Sequence, residues 1–466
     1  QAEGQQVLDV VDGARLMRRG TALVVRFKSG LHYHFEDALS PEGALQAATL
    51  PITRIEDACG NHWRFVRQNR DLVRIAESGV DGLPGRSIEV QSSGGYIESM
   101  ALRDPATGQE HPLVRYLHAD GDLLAAIDAL GAAREFAYLQ HRMARHTDRT
   151  DLSFHYAYDE QWRVVHAWGD GGLHDYRFAY NAALRQTEVT NSLGHLTVVK
   201  FDEAGLPLAE IDPLDGVTTF EYDDVGRTVA ATDPEGLRTG FAYDARGNLL
   251  SVTQPDGKIV RSEYDDEDAV VAFVDPGGHR WEGACDARGL KASQTDPLGA
   301  VMRFEHDAYG QLVRHVNARG AVTLLEYDRH GQIAAHTDPL GYVSRFEYDV
   351  SGSPRVQIDA LGRITRYHHD AKGRLLRIEQ PDDSQIACEY DAEDRILRHT
   401  DEAGRRTKLT YTGIGRIDRC IQADGHATHY HYDSEERLIA LTNERGERYE
   451  LRYDALGRIC EEVDYW

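Results

Sequence analysis

Val217-Thr218-Thr219-Phe220-Glu221-Tyr222-Asp223-Asp224-Val225-Gly226-Arg227, then Thr228 through Thr232 and Asp233-Pro234-Glu235-Gly236, is one copy of a unit that recurs every 21 residues. Its key aromatic position falls at Tyr180, Phe201, Tyr222, Tyr243, Tyr264, Cys285, His306, Tyr327, Tyr348, His369, Tyr390, Tyr411, Tyr432 and Tyr453. Asp follows in 12 of these 14 copies and Gly stands four residues on in 10, a register that chance does not produce. A period of this length marks one structural unit copied many times.

Side chains on a strand alternate between faces. Thr218, Phe220 and Tyr222 share one face of the unit, and Thr219 and Glu221 the other; Arg303 and Glu305 around Phe304, and Arg345 and Glu347 around Phe346, sharpen the contrast between an aromatic face and an ionic one. This is the alternation of an antiparallel sheet, and the unit is too short for a parallel crossover. Two turns punctuate each unit. Tyr222, Asp223 and Gly226 exemplify the first, with Tyr243, Asp244 and Gly247; Tyr327, Asp328 and Gly331; Tyr348, Asp349 and Gly352; and Tyr453, Asp454 and Gly457. Asp-x-x-Gly predicts a type I turn closed by a glycine at positive φ, with a G1 bulge. The second turn is Asp233-Pro234-x-Gly236, repeated as Asp296, Pro297 and Gly299 and as Asp338, Pro339 and Gly341. Asp and Pro at its first two positions predict a type I turn. Every unit is thus a hairpin, and the series an all-β meander of antiparallel β-hairpin repeats. Laid flat, fourteen hairpins would make a sheet about 130 Å wide, beyond what twisted sheets sustain, so the expectation is a sheet that winds around a hollow space. The pattern assigns neither face to the interior.

Upstream the register decays. Tyr116, Tyr138 and Tyr158 continue the spacing, but before about residue 110 the copies are distorted, and Ser78 to Gly108 reads as loops and an atypical edge. The expected organisation is a degenerate β-rich entry region, 1–110, followed by the repeat array, 111–466, with the next turn due where the sequence reaches Trp466.

Of 466 residues, 77 are acidic and 52 basic, a formal charge of -25 that disfavours nucleic acid as a partner. No stretch approaches the length of apolar residues that spans a bilayer. Arg far outnumbers Lys, and with abundant Ala and Gly this points to a GC-rich bacterial gene. Gln1 opens without an initiator Met, a basic leader or an apolar signal core, so no export route is read from it. Cys59, Cys285, Cys388, Cys420 and Cys460 have no C-x-x-C spacing and read as buried free thiols.

No catalytic motif emerges, and no cofactor, metal or catalytic residue is assigned. His32 with His34, and His429 with His431, could share a strand face as metal ligands, but no third ligand accompanies them, and they read as solvated strand histidines. Asp265-Asp266-Glu267-Asp268 lacks the spacing of a calcium loop and reads as a solvated turn. The tyrosine stripe reads as sheet packing before any ligand platform.

The signature Tyr-Asp-x-x-Gly-Arg-(Leu or Ile), at Tyr453 to Ile459 and with small changes at His369 to Leu375 and Tyr243 to Leu249, resembles the YD repeats of the Rhs family over about residues 111–466. The resemblance implies a spiralling sheet forming a cocoon around a C-terminal toxin. It also implies a bacterial product, made in the cytoplasm and secreted or delivered to a target cell, often by a type VI secretion system. The implied partners are the rest of the shell, the toxin domain, and a spike protein and chaperone reached through a further N-terminal region. Neither the spike-tip domain nor the self-cleavage segment nor a toxin is recognisable in these residues, so a non-catalytic wall segment is expected. The competing expectation is a cell-surface adhesin that binds carbohydrate or a protein.

Overall fold

The computed structural model describes residues 6–11, 13–36, 49–80 and 83–465. Trp466, the position of the expected turn, lies outside them. Among the described residues, forty-three strands, from Gln6–Asp9 to Ile459–Val463, belong to one sheet. Successive strands pair antiparallel: Arg238–Tyr243 with Leu249–Thr253, that strand with Ile259–Tyr264, and that with Val270–Val274. A six-residue strand, a five-residue turn, a five-residue strand and a second five-residue turn account for the period. Among the described residues the one helical segment is the 3-10 turn Asp170–Gly172.

Burial follows the pleat. In Val217–Tyr222, Thr218, Phe220 and Tyr222 are half-buried while Val217, Thr219 and Glu221 are exposed. The ionic face is laced by cross-strand pairs such as Arg280 Nη1 to Glu263 Oε1, 2.6 Å, and Arg314 Nη1 to Glu305 Oε1, 2.5 Å. Among the described residues the buried apolar set is only Val24, Val90, Ala125, Ala230, Ala272, Ala335 and Ala440. Such a set is too small for a compact core, so stability rests on the backbone ladder and on cross-strand pairs.

The stretch Ser78 to Gly108 departs from expectation. Apart from Asp81 and Gly82, which lie outside the described residues, it holds a long hairpin, Ser87–Ser93 against Tyr96–Arg103, whose ladder slips once, between Gln91 and Ser92. Gly94 and Gly95, at φ 59 and 87, make its two-residue turn, a conformation open to glycine and matched to strand twist. Here the glycines close a hairpin rather than loosen a loop.

The chain forms two compact units, one of Gln1–His111, Glu221–Thr232 and Gly236–Arg363, the other of Pro112–Phe220, Asp233–Glu235 and Ile364–Trp466. Within the first, Asn61 Nδ2 donates to Tyr309 O at 2.8 Å, across 248 residues of sequence. Arg15 pairs with Asp268. Within the second, Arg149 N donates to Glu393 Oε1 at 2.8 Å and Ser192 N to Glu435 Oε1 at 2.9 Å, across 244 and 243 residues. In each unit, then, the sheet comes back beside itself and its turns meet edge to edge.

Candidate functional site

The signature residues form a chain of contacts that passes from each repeat to the next. It starts at the turn aspartate. Asp244 Oδ1 accepts the N–H groups of Arg246 and Asn248, both at 2.8 Å, while its carbonyl accepts from Gly247 N at 3.1 Å. One short side chain thereby satisfies two donors that the tight turn strands. Gly226, Gly247, Gly331, Gly352 and Gly457 take φ between 78 and 98, the left-handed region where a Cβ is costly. The second turns share this geometry: Asp296 and Asp338 each cap two N–H groups at 2.9 Å, and Gly236, Gly299 and Gly341 have φ of 80 to 86. The type I turns read from Asp-Pro-x-Gly therefore also end in a left-handed residue.

After the first turn the ladder slips. Tyr243 faces Leu249 but Ala242 faces Ser251, so Leu250 is bulged out. The same shift follows Glu263, Glu305, Glu326, Glu347 and Arg452. A bulge interrupts ladder pairing, and the tyrosine of the next repeat reaches the carbonyl beside it. Tyr264 OH donates to Leu249 O at 3.1 Å, Tyr327 OH to Leu312 O at 2.8 Å, Tyr348 OH to Ile333 O at 3.0 Å and Tyr453 OH to Leu438 O at 2.7 Å. Hairpin Tyr176–Asn181 with Gln186–Thr190 has no slip, and the residue that follows in the tyrosine position is Phe201. Where Tyr stands at this position its hydroxyl, and not only its ring, is used, although Cys285, His306 and His369 follow slipped hairpins without one.

Arginine closes the chain. Arg437 Nε donates to Asp433 Oδ2 at 2.7 Å, and its guanidinium lies 4.8 Å from the ring centre of Tyr453 in the next repeat. Arg227 does the same between Asp223 and Tyr243, at 2.7 and 4.8 Å. The backbone N–H of Arg458 and then its guanidinium hold the Asp454 carboxyl below its ordinary range against the opposing effect of burial. The arrangement couples neighbouring repeats.

Three readings of the sequence are corrected by the structure. The acidic turn is solvated only in part: Asp266 and Glu267 are exposed, but the Asp268 side chain is 4% exposed, bonded to Asn248 Nδ2 at 2.8 Å and paired with Arg15 and Arg246. His34 is not a solvated strand histidine either; it is buried, with Nε2 3.6 Å from Glu56, and burial followed by the Arg54 charge lowers its pKa. The cysteines are free, but none is buried, and Cys460 is exposed because it lies on the last strand. The turn-to-turn partners of Glu393 and Glu435 were missed altogether. Their one trace in the sequence is an acid where most copies have Gly, at Asp268, Asp394 and Glu436, with φ of 68, 66 and 56.

A coreless sheet of antiparallel hairpins, several of them tied to the next by the same Asp, Gly, Tyr and Arg, defines a β-hairpin repeat protein. The RHS Repeat family model matches residues 201–238, 222–259 and 327–353, which include several of these hairpins. These stretches carry RHS repeats. No curated protein sequence matches it significantly. Among solved structures, the crystal structure of TcdB2-TccC3 is 15% identical, with a TM-score of 0.62 over 94% of this chain and 29% of that one. The Tc holotoxin pore of Photorhabdus luminescens is 17% identical, with a TM-score of 0.59 over 86% of this chain and 24% of that one. TcdB2-TccC3 without its hypervariable C-terminal region is 16% identical, at the same TM-score and coverage. The chain spans less than a third of the length of these solved chains, and the likeness is one of fold.

Proposed function

We propose that this sheet is part of the wall of an RHS toxin shell, a non-catalytic container that sequesters a toxin domain until delivery. The observation that carries the reading is a sheet of forty-three strands with almost no core of its own that meets itself edge to edge about 250 residues on. A single layer that spends its sequence on continuity gains nothing as a scaffold for one active site, but it suits enclosure. The half-buried aromatic face adds a surface against which a packed or unfolded polypeptide can lie. The fold likeness to Tc toxin components supports a secreted toxin assembly, with the toxin domain and the rest of the shell as partners. Loading on a secretion spike with a chaperone, type VI delivery and use against competing bacteria or a host extend the same proposal.

Protease protection of the full-length gene product is the test. The domain encoded downstream of the repeats should survive trypsin while joined to the shell and be degraded when expressed alone. Equal rates of cleavage in the two contexts would remove the containment reading.

A further inference from the structure

The repeats create a problem that backbone geometry does not solve. Every hairpin has nearly the same strands and turns, so where two rows of turns meet, a slip by one 21-residue unit would leave each ladder intact. We infer that charged residues at the tips of the meeting turns act as a register code, which sets how many repeats the sheet runs through before it meets itself. This goes beyond the containment reading and does not rest on it.

The second unit shows the code. Turn 128–131 meets turn 370–373, where Lys372 Nζ lies 2.9 Å from Asp128 Oδ2. Turn 148–151 meets turn 391–394: Glu393 accepts from Arg149 N at 2.8 Å and, through its other oxygen, from Arg134 Nη2 at 2.6 Å. Turn 191–194 meets turn 433–436: Glu435 accepts from Ser192 N at 2.9 Å and Tyr176 OH at 2.7 Å, and Ser434 O accepts from His174 N at 2.9 Å. Along the late row the signs run plus, minus, none at Gly413–Gly415, and minus; opposite stand minus, plus, the segment Asp170–Gly172, and a set of neutral donors with His174.

A slip in either direction brings like charges together. One way, Glu393 and Asp394 would face Asp128. The other way, Lys372 would face Arg149, while Glu435 and Glu436 would face Asp212 and Asp215 of the next early turn. The native groups are shielded, with side-chain exposures of 8% for Asp128, 13% for Lys372 and 14% for Glu393, so solvent would screen such clashes poorly. This is specificity by repulsion as well as attraction. Two of the acids stand in left-handed positions that favour Gly, and each braces the late row: Asp394 accepts from Lys372 Nζ at 2.5 Å, and Glu436 from Ile414 N at 2.7 Å. With partners 244 and 243 residues apart, the code holds the return at between eleven and twelve repeats.

The test transposes the signs of the late row in the full chain, Lys372→Glu with Glu393→Lys, and reads amide exchange at His174 and Ser192. Neither reporter is altered, and both depend on the native register. Exchange there should accelerate by about tenfold or more. Adding Asp128→Asn, which keeps the acceptor that caps turn 128–131, with Arg134→Glu and Arg149→Glu should slow exchange again by at least about threefold; recovery is partial because a lysine in place of Glu393 cannot accept from Arg149 N. Carbodiimide coupling gives a second readout, because the sequence has only six lysines: the unaltered protein should yield a Lys372–Asp128 cross-link beside the local Lys372–Asp394 one. Unchanged exchange in the transposed variant, or no recovery in the compensated one, overturns the inference. Should the transposed variant lose ladder protection throughout, the compensated variant decides alone, and protection at Ser192 must return there.

Discussion

Tyr348→Phe isolates the hydroxyl that caps the bulge. The ring stays, so aromatic packing is retained, and what is lost is one O–H···O bond of 3.0 Å to Ile333 O. That carbonyl lies at the slip where Tyr327 faces Ile333 but Glu326 faces Ala335. The net loss of such a bond is about 1 kcal/mol, more if the carbonyl is left without a partner. Repeat arrays open locally and need not unfold in one step, so a global midpoint would dilute the effect. Native-state hydrogen exchange over strands Ile333–Thr337 and Val343–Tyr348 is the suitable assay, and about 1 kcal/mol corresponds to roughly fivefold faster exchange. The reverse change, Phe201→Tyr, follows a hairpin without a slip and should stabilise by less than about 0.5 kcal/mol. Exchange unchanged in Tyr348→Phe, or an equal gain from Phe201→Tyr, would refute the link between bulge and hydroxyl.

Gly247→Ala should cost more than Gly299→Ala in a urea or thermal melt. Both glycines have left-handed φ, worth about 1 kcal/mol to a residue with a Cβ, but only at Gly247 would that Cβ meet backbone, 2.2 Å from Val10 O. Arg437→Lys should weaken the tie between Asp433 and Tyr453 by about 0.5 to 1 kcal/mol, seen as faster exchange in the last hairpin, because an ammonium cannot bond and stack with a flat fork. Thermal stability should fall on acidification in two stages. Burial, aided by Arg54, Arg134 and Arg86 respectively, lowers the pKa of His34, His146 and His330 below 6.5, so the unfolded chain binds protons first and stability declines as pH drops below about that value. Burial opposes ionisation of Asp128, Glu393 and Glu435, but Lys372, Arg134 and Ser192 outweigh it, so a second loss follows as pH falls through and below the ordinary carboxylate range. His34→Gln should flatten the first stage in a melt series across pH; an unchanged profile would remove His34 from the account.

Much of the fold was legible before any coordinates. The 21-residue period, the alternation around Phe220 and the Asp and Gly of both turns are local features, and steric limits on φ with the pleat of a strand translate them directly into hairpins. The hairpin at Ser87–Arg103 was obscured by its glycines, although Ile88 and Val90 alternate as a strand should. The G1 bulge of the turn was legible in Asp-x-x-Gly, whereas the ladder slip beyond it, as at Leu250, was not, since a skipped residue is a property of pairing between two strands and leaves no mark on either alone. Without it, the hydroxyl of Tyr264 or Tyr348 has no evident task and the stripe reads as packing.

By itself the sequence determined a meander of hairpins and the direction each side chain takes from it, because those follow from interactions within about one repeat. Tertiary structure alone decided that Asp268 and His34 are buried, that Glu393 bonds Arg149 and that Glu435 bonds Ser192. These depend on which distant turn comes alongside after more than two hundred residues of nearly identical units. A periodic sequence is degenerate in that choice, and a few charges that break its periodicity resolve it.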